Sequence, residues 1–187
     1  MPDMFNTDGF GLEPGFAAKL QQLLQKCHEA GVEFRVSQGL RTPQTQALYY
    51  CQWAQRKPAD IDAAATELRA AGAPWLSDMV VALRDTPRKP DWQTNALPGA
   101  GWHQWGEAVD CYCYRNNKIV NNGADPAYKT YADLAKGLGL TAGYYFTTHQ
   151  DSGHVQLRAA GGATDVYSWA YIDGAMKARF SEKPTLK

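Results

Sequence analysis

The stretch from Gly101 to Cys113, GWHQWGEAVDCYC, constrains this chain more than any other. Its first half is a Trp-rich turn punctuated by Gly101 and Gly106. Its second half sets Ala108, Asp110 and Tyr112 against Val109, Cys111 and Cys113, the alternation of a strand. A strand that follows a tight turn can aim His103, in the turn, and Asp110, seven residues later, at one point. Imidazole nitrogen and carboxylate oxygen both ligate Zn²⁺, so this stretch reads as two parts of a metal site whose third ligand lies elsewhere.

The rest of the chain is long enough to support such a site. Its 187 residues, 44% hydrophobic, fit one globular domain with a sizeable core. The 19 basic and 19 acidic side chains cancel, which removes any overall field favouring nucleic acid or an anionic membrane. No apolar run reaches the length of a membrane span, and MPDMFNTDGFGLEPGF has neither a basic n-region nor an apolar h-region. The expectation is synthesis in the cytoplasm without a signal peptide. Cys27, Cys51, Cys111 and Cys113 read as small buried apolar groups, the first two on helices and the last two on the strand.

In chain order, residues 1–13 read as an irregular leader. Pro14 opens a helix carrying Phe16, Leu20, Leu23, Leu24 and Cys27 at helical spacing, and Gly31 stops it. VEFRVS is a short strand. Gln38 to Pro43 follows, with Thr42-Pro43 as a helix start and Arg41 at the strand-to-helix junction. The spacing predicts a helix over 44–57, a second helical region over 61–84, and a solvated connector in RDTPRKP. After the central stretch, Asn121-Asn122-Gly123 predicts a turn at which the strand pairs back or crosses over, and a helix runs from Pro126 to Lys136. In HVQL, Val155 and Leu157 face the core while His154 and Gln156 point the other way, and His154 is the third ligand. His28 reads as a surface or partly buried histidine rather than a ligand. His149 reads either as an exposed loop residue or as a participant in the site. A closing helix over about 164–180 and a short basic tail complete the chain. The fold class is α+β, a small antiparallel sheet with helices packed on one side and the metal cleft on its open face. It forms a single domain over 1–187 with a helical insertion at about 54–100.

QGLRTPQTQ, TNALPGAGWHQWGEAVD and DSGHVQL together resemble the zinc D,D- and L,D-peptidases of the VanY, VanX and phage L-alanyl-D-glutamate endopeptidase group. The likeness runs from about Val32 to Leu157 and implies a fold like that of these D-Ala-D-Ala peptidases and of the Hedgehog signalling domain. It implies one Zn²⁺ per chain held by His103, Asp110 and His154, with Asp151 as general base and Arg41 beside the substrate as a clamp on a carboxylate or a polarised carbonyl. Three positions depart from the group's habit: Gly101 replaces a serine two residues before the first histidine, Val155 replaces an aromatic after the last, and Asp151 stands where many members have glutamate, although the phage endopeptidases commonly use aspartate.

The resemblance implies a peptidase acting on a peptidoglycan stem peptide, an L-alanyl-D-glutamate endopeptidase acting as a phage-type endolysin or a cell-wall lytic effector. A D-Ala-D-Ala carboxypeptidase or dipeptidase, or a zinc-stabilised binding module on the same scaffold, are the alternatives. Retention of Asp151 and Arg41 beside all three ligands favours catalysis. The expected partner is the stem peptide, met in the periplasm or cell wall after release or export. Nucleic acid and stable membrane insertion are not expected, and an immunity protein is expected only for an effector. Gln38, Arg41, Trp102, Tyr145 and Gln156 are the candidate substrate contacts. Gln156 reads equally as a support for His154, and Trp102, Trp105, Tyr144 and Tyr145 equally as core aromatics.

Overall fold

The computed structural model describes residues 5–91 and 94–181. The elements in chain order are α1 (Pro14–Glu29), β1 (Glu33–Gln38), α2 (Pro43–Gln52), α3 (Pro58–Ala70), α4 (Pro74–Ala82), β2 (Ala108–Arg115), β3 (Lys118–Ile119), α5 (Pro126–Gly137), β4 (Thr141–Ala142), β5 (His154–Gln156) and α6 (Trp169–Phe180). Short 3-10 turns lie at Trp102–Trp105, Gly143–Tyr145 and Ala163–Asp165. The first four residues of the expected leader, and the expected basic tail, lie outside the described residues.

By its contacts the chain divides into two compact units, Met1–Leu40 with Trp105–Ala160 and Arg41–Gln104 with Gly161–Lys187. The helices expected as an insertion at 54–100 fall in the second unit, which also takes in α2 and α6.

The first unit is the α+β sheet that the sequence predicts. Strands order as β1-β2-β5-β4, all antiparallel, with β3 pairing the far end of β2. Helix α1 starts where Pro14 stands at its first turn and the Glu13 carboxylate accepts the Phe16 N–H at 2.8 Å. It ends before Gly31, whose φ of +76° suits a residue without Cβ. Its buried stripe of Phe16, Leu20, Leu23, Leu24 and Cys27 packs with Tyr128, Tyr131 and Ala135 of α5 against Phe34, Val109, Cys111, Cys113 and Val155 of the sheet. Each large apolar side chain buried this way contributes about 1.5–3 kcal/mol. The helices cover one face of the sheet, so the other is left for polar side chains.

The returning hairpin differs from the sequence expectation. It turns at Asn116-Asn117, both with positive φ (53° and 60°), between the paired Arg115 and Lys118. A two-residue loop of that hand matches the twist of the strands, and Asn tolerates it. Asn122 instead leads into α5: its side chain accepts the Ala124 N–H at 3.1 Å.

The second unit is helical. Helix α2 begins at Thr42-Pro43 as read from sequence, with the Thr42 hydroxyl accepting the Thr45 N–H at 3.1 Å. It stops at Gln52, short of the expected residue 57. Trp53 turns extended and this segment pairs with the 88–89 region, where the Lys89 N–H donates to the Gln52 carbonyl at 2.6 Å and the Ala54 N–H to the Lys89 carbonyl at 3.0 Å. The helical region expected over 61–84 consists of two helices, α3 and α4, parted by Gly72 at φ +85° and by Pro74. The RDTPRKP connector is tied down: the Arg88 guanidinium donates to the carbonyls of Arg56, Thr86 and Arg84. Helix α6 starts at Trp169, after a separate 3-10 turn, and its buried Asp173 carboxylate accepts the Leu76 N–H of α4 at 2.8 Å.

Candidate metal centre

The face of the first unit's sheet away from α1 and α5 carries Asp110 on β2 and His154 on β5, directly opposite each other in register. Alternation puts their neighbours Val109, Cys111 and Val155 into the core. Cys111 therefore packs in the core, where burial pushes its thiol up to about 12. His154 Nδ1 lies 3.0 Å from Asp110 Oδ1. Burial opposes a charge on this imidazole, but the hydrogen bond and negative charge of Asp110, with the charge of Asp151 and the bond to Gln156, hold its pKa above the ordinary histidine value.

His103 comes from the turn Trp102–Trp105 that leads into β2, and it is buried. The ligand atoms of His103, Asp110 and His154 lie within 4.8 Å of one another. Two imidazoles and one carboxylate are the nitrogen and oxygen donors that Zn²⁺ takes in catalytic sites, where three protein ligands leave a fourth position open. The residues fit zinc, and the three candidate ligands read from the sequence lie together.

Asp151 sits in the loop that enters β5. Its N–H donates to the Gly143 carbonyl at 3.0 Å and its carbonyl accepts the His154 N–H at 3.2 Å. This close loop leaves no room for a side chain at Gly143, where a Cβ would stand 2.5 Å from the Asp151 carbonyl oxygen. Gln38 ends β1 opposite Asp110. Gln156 is buried beside His154, its Oε1 3.1 Å from His154 Nε2. Tyr145 is exposed, and its hydroxyl donates to the Asp133 carboxylate. His149 is exposed in a left-handed conformation at φ 57°.

In the second unit, the Arg41 N–H donates to the His103 carbonyl at 3.2 Å. Trp102 is 3% exposed, with its indole N–H on the Gly161 carbonyl at 2.9 Å, so it packs inside. The sequence reading passed over Gln46. Its Oε1 accepts from Arg41 Nη1 at 2.8 Å and from Gln104 Nε2 at 3.1 Å, while its own amide donates to Thr94 Oγ1 and the Ala96 carbonyl. One buried amide thus joins Arg41 to the turn that holds His103. The signal was present: Gln46 occupies the apolar-stripe position of α2 shared by Pro43, Ala47, Tyr50 and Cys51. Also unread was the pair of Glu107 and Arg158, joined by two bonds of 2.5 and 2.9 Å where β2 begins.

Residues 10–157 match the sequence profile of the VanY family, described as D-alanyl-D-alanine carboxypeptidase. No curated protein sequence matches the chain. Similar solved structures include the L-Ala D-Glu endopeptidase ChiX of Serratia marcescens, at 18% identity over 79% of this chain and 81% of that one, with a TM-score of 0.45. Another is the D,D-pentapeptidase VanY from a VanB-type vancomycin resistance cassette in complex with Zn(II), at 20% identity over 81% and 75%, with a TM-score of 0.47.

Proposed function

The chain belongs to the VanY D-alanyl-D-alanine carboxypeptidase family, and from that premise we propose that this zinc peptidase cuts the peptidoglycan stem peptide between L-Ala and D-Glu. The observation that carries the finer reading is the base position. Asp151, rather than a glutamate, stands three residues before the ligand His154 and shares its loop hydrogen bond. In the zinc peptidases this chain resembles, the phage endopeptidases commonly place Asp there. The family's own description favours the second reading, removal of a terminal D-Ala.

When bound, zinc supplies a Lewis acid and lowers the pKa of a water to roughly 7. Asp151 takes the proton of the attacking water and returns it to the leaving amine. Arg41, its guanidinium held by Gln46, provides fixed positive charge for the developing oxyanion, an interaction worth on the order of 3 kcal/mol in other enzymes. The substrate is met in the periplasm or cell wall after release or export, as for an endolysin or a lytic effector.

Mass spectrometry of purified stem-peptide fragments after incubation with the zinc-loaded protein tests this, with a chelated sample and Asp151→Asn alongside. A new fragment beginning at D-Glu, absent from both controls, is expected. Loss of a terminal D-Ala alone would establish the carboxypeptidase instead. No cleavage by folded, zinc-loaded protein would sink both.

A further inference from the structure

We propose that Gln156 is a positioning residue that fixes the tautomer of His154, so that Nε2 carries the proton and Nδ1 is the nitrogen presented to the metal. The inference deepens the zinc reading of the site and rests on it.

The argument starts from the amide, whose two ends look alike but bond differently. Gln156 Nε2 donates to the Ala159 carbonyl at 2.5 Å and to the Arg158 carbonyl at 3.2 Å. Backbone carbonyls accept only, so both amide hydrogens are committed and the orientation of the group is settled. The end facing His154 is therefore the oxygen. Oε1 lies 3.1 Å from His154 Nε2 and can only accept, which places the ring hydrogen on Nε2. The other ring nitrogen, Nδ1, is 3.0 Å from Asp110 Oδ1. Two donors bound to one Zn²⁺ at about 2.0–2.1 Å stand roughly 3.3 Å apart in a tetrahedron, so Nδ1 and Oδ1 already have nearly the spacing of neighbouring ligands. Nε2 points away from that edge into the amide.

The surroundings hold Gln156 in this role. It is 3% exposed and lies two residues from His154 on the same three-residue strand. The turn that supplies its two carbonyls is anchored where the Leu157 N–H donates to the Glu107 carbonyl at 2.8 Å and Arg158 grips the Glu107 carboxylate. Hydrogen bonding of the second ring nitrogen is how a protein orients a metal-binding histidine, and loss of such a partner typically costs 10–100-fold in metal affinity. A neutral amide accepts from Nε2–H without adding a charge beside the ligands.

The test uses the full chain and Gln156→Leu, which removes both the acceptor and the donors. Long-range ¹⁵N–¹H NMR assigns the protonated nitrogen of His154 in zinc-loaded protein and in metal-free protein at alkaline pH. Competition against a chromophoric chelator measures zinc affinity. The expected result is an Nε2–H imidazole bound through Nδ1 in the unsubstituted protein, and zinc affinity about 10–100-fold weaker in Gln156→Leu with unchanged far-UV circular dichroism. Binding through Nε2, or an affinity unchanged by Gln156→Leu, overturns the proposal. If Gln156→Leu does not fold, the tautomer of the unsubstituted protein decides alone. Neither readout involves a peptide, so a failed cleavage assay leaves this test standing.

Discussion

His154 Nδ1 and Asp110 Oδ1 lie 3.0 Å apart across one rung of the ladder between β2 and β5. Two segments 44 residues apart in sequence are thereby set at ligand spacing by strand register alone. Because register aims Asp110, Asp110→Ala should lower zinc affinity by more than the 10–100-fold typical of losing an outer partner. Metal content after dialysis and chelator competition would measure it, with circular dichroism as the check on folding. Retained stoichiometric zinc would exclude Asp110 as a ligand.

The backbone of Asp151 is held at both ends, its N–H on the Gly143 carbonyl and its carbonyl on the His154 N–H. Asp151→Asn should reduce kcat by about 10²–10⁴-fold, the usual contribution of a general base, while zinc content stays at one per chain. A loss of zinc in parallel with activity would instead make Asp151 a structural part of the site.

Gln46 is the acceptor shared by Arg41 and Gln104, and it is 1% exposed. Gln46→Leu takes that oxygen from the buried Gln104 amide and the half-buried Arg41 guanidinium, at a cost of about 1–3 kcal/mol. For a chain of this size each kcal/mol lowers Tm by roughly 2–4 °C. The thermal midpoint should fall accordingly, and kcat/KM should fall as well because Arg41 loses its brace. An unchanged midpoint would show that the network carries no net stability.

Gly99 combines a φ of +86° with a close approach: a Cβ would stand 2.4 Å from Ile172 Cγ2. Gly99→Ala should destabilise the protein by about 1–3 kcal/mol, since an added methyl in a packed contact forces the backbone or α6 to shift. Chemical denaturation would read this as a lower midpoint at unchanged slope.

The Glu13 carboxylate is held below the usual carboxylate range by backbone hydrogen bonds from Gly15 and Phe16 at the start of α1. A depressed folded-state pKa contributes stability above the unfolded-state pKa and loses it as pH falls through the folded value. Glu13→Ala should therefore cost about 1 kcal/mol at neutral pH, and the difference from the unsubstituted protein should close on acidification through that range. A difference that persists in acid would point to packing rather than the cap.

Much of the site could be read from local pattern. The Gly-punctuated turn before an alternating run placed His103 and Asp110, and the same two-residue period in HVQL placed His154 and Gln156 on the face opposite Val155. Those inferences hold because a strand's side chains alternate whatever they pack against. The helix starts at Pro14, Pro43 and Pro126 were legible for a similar reason, since proline at a first turn and the capping residue before it act within a few residues. The hairpin was misplaced because two segments carried turn-forming asparagines, and only the pairing of Arg115 with Lys118 selects Asn116-Asn117.

By itself, then, the sequence determined which residues are the candidates for the metal chemistry and which face of each strand presents those on strands, because backbone geometry converts spacing into direction. Only the tertiary structure decided what surrounds each of them. Gln46 as the brace of Arg41 and the two carbonyls that orient Gln156 depend on chain segments meeting after the turns have closed. A hydrogen bond between such segments is specified by their packing, which no local period encodes.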